Sequence, residues 1–522
     1  MQTVTPQSWQ ASLRAFLHPQ VISLLFLGLS AGIPILLIFS SLGLWLREAG
    51  IERSTVTLFS WAALGYSFKF VWAPLIDRLP VPILSRLLGR RRAWILVSQF
   101  SIITAIVWMA STDPSAENSL LIMAFATVLL GFSSATQDIV IDAYRIEAAD
   151  MRLQALMSST YIAGYRIGMI IAGAGALFLA DYFGSDMGAY QYEAWRNTYF
   201  LMAASMLIGV ITTLVISEPT LDRSKETQYS TQDYLGFVAL FILAAAAFIG
   251  VFILSAKTTF LGELKQSLGA FFANPALASF LLETLRLFVA GFIAFWVAKL
   301  VISSRIVNAK MVESTYIAPI KDFFSRYNLK LALLLLALIG LYRISDIVLG
   351  VIANVFYQDL NYSKTEIATI VKTFGLFMTL AGGFLGGILS LRYGVMKILF
   401  LGAVLTVATN LLFVLLAQVG HDTTLLYVVI SADNLTAGLA SAAFIAFLSS
   451  LTNIQFTAVQ YAIFSSLMTL LPKVLGGYSG AMVDSLGYEN FFIIASLIGL
   501  PVLVLVWLAN KYLEMSEFKL KD

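Results

Sequence analysis

Asp138 and Asp142 stand four residues apart in an otherwise apolar run, 119–143, with Gln137 directly before the first. On a helix that spacing puts both carboxylates on one face. Ionised together they repel; burial favours the protonated form and a neighbouring cation the charged one. Such a pair can take up and release a proton. It can equally belong to an ion-pair network that closes a gate. Two cations in other apolar runs, Arg166 and Lys69, are the expected partners, with Arg166 set beside Asp138. Asp142 is expected closer to water than Asp138.

A charge inside a membrane-spanning helix costs about 2.5–3.5 kcal/mol on insertion scales, so it should face protein or water and usually marks function. The apolar runs hold the cations Lys69, Arg166, Arg286, Lys299, Arg343, Lys372 and Lys473, and the carboxylates Asp138, Asp142, Glu283, Asp346 and Asp433. Glu283 and Arg286 are three apart and read as a structural pair. Lys299 lies near the end of its run and can snorkel. Arg343 and Asp346, also three apart, read either as a simple pair or as cavity lining.

Other chemistries are excluded. The chain has no cysteine and only two histidines, His18 and His421, which removes thiolate and histidine-cluster metal sites and a cysteine nucleophile. No metal and no cofactor is expected. Gly28-Leu29-Ser30-Ala31-Gly32 fits a nucleophile-elbow pattern, but it lies in an apolar helical run with no histidine within any span, so no enzyme is expected. A nucleotide-driven pump would need a phosphate-binding Gly-x4-Gly-Lys-Ser/Thr loop, which does not occur.

The elements that must position these residues follow from composition. Of the 522 residues 59% are hydrophobic and only 12% charged, with mean hydropathy +0.85. Soluble domains are about 25% charged, so a soluble enzyme, a disordered chain and a nucleic-acid binder are excluded, and hydrocarbon is the solvent. Runs long enough to span it cover 20–46, 55–76, 93–111, 119–143, 153–180, 195–217, 232–256, 277–303, 331–357, 364–390, 395–418, 423–450, 457–480 and 490–512. These fourteen runs predict an all-α integral membrane protein. With both ends inside, the cytoplasmic connections carry 20 lysines and arginines, among them Arg86 to Arg92, Arg145 and Arg152, against five or six outside, as the positive-inside rule requires.

The sequence also repeats itself. Leu179-Ala180-Asp181-Tyr182-Phe183-Gly184 matches Met482-Val483-Asp484-Ser485-Leu486-Gly487; Gly131-Phe132-Ser133-Ser134-Ala135 matches Gly438-Leu439-Ala440-Ser441-Ala442; and Asp77-Arg78, then Gly89-Arg90-Arg91-Arg92, matches Leu391-Arg392-Tyr393-Gly394. The matches keep their order, so the plan is a six-helix half at 1–217, an insert at 218–330 with two further spans and amphipathic stretches at 261–273 and 315–327, and a second six-helix half at 331–522. Two parallel six-helix halves are the plan of one large transporter class. Gly164, Gly168, Gly382, Gly383, Gly386 and Gly387 are expected at close helix contacts.

Ala73-Pro74-Leu75-Ile76-Asp77-Arg78 followed by Gly89-Arg90-Arg91-Arg92 resembles the loop signature of the major facilitator superfamily, with alanine in place of the leading glycine and residues 79–88 intervening. The resemblance implies a gating role for Asp77 and Arg78; topogenic anchoring is the other reading of the basic loop. More specifically, Phe68 to Arg78, Ser134 to Ala143, Gly164 to Met169 and Pro319 to Arg326 resemble the AmpG family of muropeptide permeases. That resemblance implies proton-coupled import of anhydro-disaccharide peptides from peptidoglycan across a Gram-negative inner membrane. Acetyl-CoA transporters are relatives, so acetyl-CoA or another anionic metabolite is the alternative cargo. Sugar–peptide recognition needs aromatic faces, hydrogen-bond forks and cations for the peptide carboxylates. The candidate substrate residues are Gln137, Tyr161, Tyr165, Arg343, Asp346, Lys372, Asp433 and Asn434, with Tyr342, Asn354 and Tyr357 nearby in sequence to the second group. The expected partners are this small sugar–peptide, protons and the lipid bilayer, with the chain acting as a monomer.

Overall fold

The computed structural model describes residues 14–51, 59, 65–148, 150, 153–185, 189–220, 229–256, 258–272, 275–304, 307–362, 366–476 and 479–519. Every regular element among them is helical. Among the described residues eleven helices are long and apolar enough to cross a membrane, and two shorter apolar stretches, Phe288–Ser303 and Ile454–Leu470, overlap the expected runs 277–303 and 457–480. The start of the expected run 55–76 lies outside the described residues. The rest forms short pieces, Gly65–Phe68, Lys69–Val71 and Ala73–Arg78.

The elements that position the site are α1 (Pro19–Leu36), α2 (Ala73–Arg78), α3 (Arg90–Ala110), α4 (Ser119–Ala148), α5 (Gln154–Ile170), α6 (Tyr192–Ser205, continued by Leu207–Val215), α7 (Thr231–Ala256), α8 (Pro275–Ser303), α9 (Leu329–Leu341), α10 (Ile344–Asp359), α11 (Gly375–Tyr393), α12 (Val395–Val419), α13 (Thr423–Leu451), α14 (Thr457–Gly476) and α15 (Ser479–Lys519). A π-helical stretch, Ile367–Phe374, leads into α11. At 1.5 Å per residue, the 30 residues of α4 reach about 45 Å, more than the roughly 30 Å of a hydrocarbon core.

The chain forms two compact units: Met1–Ile76 with Pro80–Leu221 and Phe323–Asp522, and Asp77–Leu79 with Asp222–Asp322. In the first, α1 and α5 touch through glycines. A Cβ on Gly28 would sit 2.2 Å from the Tyr161 carbonyl oxygen, and one on Gly164 only 1.8 Å from that of Leu25. Without an apolar driving force between helices in lipid, this backbone-to-backbone approach is what small residues make possible. The same device recurs between α11 and α13, where a Cβ on Gly382 would meet the Leu435 carbonyl oxygen at 2.0 Å. Gly387 of α11 instead faces Ser159 of α5. The sequence repeats carry matched backbone as well. Gly89 and Gly394 have φ of 88° and 92°, and Gly184 and Gly487 have φ of 95° and 76°, the left-handed region that glycine enters without a Cβ clash.

The second unit packs α7 against α8, with helix Thr259–Phe272 between them in sequence. That helix covers 261–272 of the expected amphipathic stretch 261–273, and Ala318–Arg326 covers much of 315–327. The Arg286 guanidinium donates to Ser255 Oγ at 3.0 Å and stacks over the Phe252 ring at 4.5 Å; the Glu283 side chain, its expected partner, lies outside the described residues. Lys299 lies 4.6 Å from the centre of the Trp296 ring.

Candidate functional site

Two charged groupings form in the first unit. The lower one, at the end of α4 that carries Arg145, is built around that arginine, which is fully buried. Its Nη1 donates to Gln154 Oε1 at 3.2 Å, Ser158 Oγ at 3.2 Å and Ser449 Oγ at 2.8 Å. Its Nη2 lies 3.4 Å from Asp142 Oδ1, and the guanidinium covers the Tyr461 ring at 5.1 Å. Lys69 Nζ reaches Asp142 Oδ2 at 3.6 Å. One guanidinium therefore joins α4, α5, α13 and α14. Asp142 is buried and doubly paired, which corrects the expectation that water reaches it more readily than Asp138.

Asp138, one turn back, accepts a hydrogen bond from the Tyr161 hydroxyl at 3.2 Å. The expected Asp138–Arg166 pair is not formed. Arg166 is five residues past Tyr161, so it points to a different side of α5, and it lines a cavity instead. Tyr165 packs on Tyr161 with ring centres 6.1 Å apart. Gln137 is fully buried, donates to Ser30 Oγ at 3.2 Å, and has an Oε1 with no hydrogen-bond partner among the described residues. Tyr161 and Tyr165 thus stand with Asp138, Gln137 stands against Ser30 of α1, and none of the three lines the cavity.

The cavity is the second grouping. It measures about 260 Å³ and takes Arg166 from α5, Asp346 and Tyr357 from α10, Lys372 from the π-helical stretch, and Asp433 and Asn434 from α13. Asn434 is fixed in orientation: its Oδ1 accepts from Thr379 Oγ1 at 2.9 Å and its Nδ2 donates to the Ile430 carbonyl at 3.1 Å. Arg343 does not line the cavity; it pairs with Asp346 on the adjacent turn. Both earlier readings of that step hold in part, since Asp346 is at once paired and lining. Tyr342 is structural, donating to the Leu399 carbonyl at 2.9 Å and stacking on Phe444 at 4.4 Å. The side chains of Asn354 and Lys473 lie outside the described residues.

The basic loop is more than a row of anchors. Arg91 is buried against Glu147, with Nε to Oε2 at 2.9 Å, and Arg92 donates to the carbonyls of Thr213 and Leu214 at 3.0 and 2.7 Å, closing the end of α6. Glu218 accepts the Arg91 and Arg92 backbone N–H groups at 2.8 and 3.0 Å and so caps α3. Burial raises the Glu218 carboxyl above its ordinary range in spite of these donors. Within the second unit, Arg78 Nη2 donates to the Ser314 carbonyl at 3.2 Å; Asp77 is buried. Arg152 lies outside the described residues.

Sequence reasoning missed Arg145 as a site residue and counted it among the topogenic cations. The available signal was its place three residues after Asp142, the same spacing used for Arg343 and Asp346.

The chain matches the family model described as Major Facilitator Superfamily over residues 20–341 and 334–521. A Rickettsia conorii transporter named AmpG 4 is 30% identical over 95% of this chain and 98% of its own length. A protein of Escherichia coli K12 named anhydromuropeptide permease is 27% identical over 97% of this chain and 82% of its own. Among solved structures, the superfamily transporter FucP in the outward conformation superposes with a TM-score of 0.59 at 12% identity, covering 95% of this chain and 99% of that one. The proton:xylose symporter XylE gives 0.53 at 11%, covering 95% of each.

Proposed function

This chain belongs to the major facilitator superfamily and, within it, to the AmpG transporters, and on that premise we propose that it imports peptidoglycan-derived anhydro-muropeptides, N-acetylglucosaminyl-anhydro-N-acetylmuramyl peptides, for cell-wall recycling. The observation that carries this reading is the near full-length similarity to a protein named anhydromuropeptide permease. The cavity is consistent with it, since Arg166 and Lys372 offer cations to peptide carboxylates. Transport runs from periplasm to cytoplasm across a Gram-negative inner membrane, by a carrier that is not an enzyme. The architecture is two six-helix halves, 1–217 and 331–522, around an insert at 218–330 with two extra spans. That gives fourteen crossings and both termini in the cytoplasm. The matched glycine turns and the asymmetry of basic residues support it.

The proton gradient drives uptake. Asp138, bonded among the described residues to a tyrosine hydroxyl, carries the proton; Asp142, held by Lys69 and Arg145, helps close the cytoplasmic end. Asp77 and Arg78 belong to the gate on that side. Asp138 and the cavity share α5, which carries Tyr161 and Arg166 on different faces, so a shift of that helix moves both. Uptake of labelled anhydro-disaccharide peptide by right-side-out vesicles tests this. Accumulation above equilibrium is expected only with the outside acidic. Absent uptake, together with carriage of acetyl-CoA or another anionic metabolite, would overturn it.

A further inference from the structure

Among the described residues four charged side chains of both signs line the cavity: Arg166, Lys372, Asp346 and Asp433. Asp346 is committed to Arg343. Asp433 and Arg166 have neither a hydrogen bond nor an ion pair among the described residues, and they stand on different helices, α13 and α5. Arg166 is exposed and Asp433 half-buried, so each offers its charge to whatever enters the cavity, and a ligand that fits this space is held best when it brings the opposite charge to each. A neutral sugar ring would leave both unanswered. A simple carboxylate would answer Arg166 and repel Asp433. A group carrying both an ammonium and a carboxylate answers both.

Size points the same way. Pockets that bury a whole drug-sized ligand run from roughly 300 to 1,000 Å³, and this one is about 260 Å³. It holds one end of a muropeptide, not the whole. Between the charged groups the wall is apolar, with Leu349, Val371 and Phe413, which suits a short alkyl chain. Asn434 keeps a second amide N–H beyond the one given to Ile430.

We propose that this cavity is the subsite for a zwitterionic, amino-acid-like end of the substrate's peptide, its ammonium against Asp433 and its carboxylate against Arg166. The assignment rests on the anhydro-muropeptide reading for what the rest of the substrate is. Asp433 is then a specificity residue, distinguishing a free amine from a blocked one.

The test is competition binding on the intact purified protein in lipid nanodiscs, with four probes. They are an anhydro-disaccharide peptide ending in a zwitterionic residue, the same compound with its amine acetylated, the free peptide, and the peptide-free anhydro-disaccharide. Acetylation is expected to weaken binding to the unaltered chain by about tenfold or more, the loss of one charge-assisted hydrogen bond. In Asp433→Asn that penalty should shrink to within about twofold, while Asp433→Glu, which keeps the charge, should retain most of it. Equal binding of free and acetylated forms by the unaltered chain would overturn the proposal. So would an Asp433→Asn variant that weakens all four probes by one common factor, or that loses gradient-driven accumulation with the acetylation penalty intact, which would make Asp433 a proton site. Binding of the free peptide without any anhydro-sugar probe would overturn the muropeptide reading and leave the subsite standing; binding of none would overturn both.

Discussion

Asp138 and Asp142 have the same side chain on the same helix face, and their surroundings make them unlike. Asp142 has two cations within 4 Å, whereas Asp138 has a phenol. A cation favours the ionised carboxylate, and a single neutral donor does so far less. On the proposed mechanism the proton is therefore assigned to Asp138. Asp138→Asn is expected to abolish gradient-driven accumulation while counterflow exchange survives, because exchange can cycle without proton release. Asp142→Asn should instead strand Lys69 and Arg145, and leaving buried charges unpaired costs about 3–5 kcal/mol, so exchange and protein abundance should fall together. Equal effects of the two substitutions on counterflow exchange would contradict the division of roles.

At the scale of elements, helix contact decides where the site residues stand. Tyr161, Tyr165 and Arg166 ride on α5, whose distance from α1 is set by Gly28, Gly32, Gly164 and Gly168. Gly164→Ala would place a Cβ 1.8 Å from the Leu25 carbonyl oxygen, backbone that cannot swing aside. Overpacking of this kind costs about 1–3 kcal/mol, read as a lower melting temperature of the detergent-solubilised protein with reduced substrate binding. Gly262→Ala, on the helix Thr259–Phe272 with nothing within 4 Å, is the matched control and should not be destabilised. Since alanine favours a helix more than glycine does, equal losses in the two would show that the α1–α5 contact is not what governs.

For the whole molecule, the distribution of lysine and arginine predicts an orientation that can be tested chemically, since the chain has no cysteine of its own. The turn between α3 and α4, Asp113 to Asn118, is expected outside. There Asp113 accepts from Ser115 N and Oγ and from the Tyr190 hydroxyl, which holds the turn, while Glu117 is exposed. A cysteine introduced as Glu117→Cys should react with an impermeant maleimide in intact spheroplasts. Reaction only after lysis would reverse the orientation. Asp77→Asn, at the opposite face, should lower transport with abundance near normal; unchanged transport would reduce the basic loop to an anchor.

Composition and apolar run length were enough to establish a multi-pass helical membrane protein, because hydrocarbon forces every backbone polar group into a helix and every helix to a minimum length. Local motifs likewise marked the glycine turns at Gly89, Gly184, Gly394 and Gly487, since a left-handed φ is a property of one residue. Spacing along one helix found Arg343 with Asp346, three apart on one face. Partners on different helices were beyond it. Whether Asp138 meets Arg166 or Tyr161 depends on how α5 is rotated against α4, since the two residues stand about 140° apart around that helix. Arg145 meets Ser449 and Tyr461 across some 300 residues of chain, a juxtaposition set by the packing of α4 against α13 and α14. The cavity, drawn from α5, α10, α11, α12 and α13 together with the π-helical stretch, exists only once those helices are assembled.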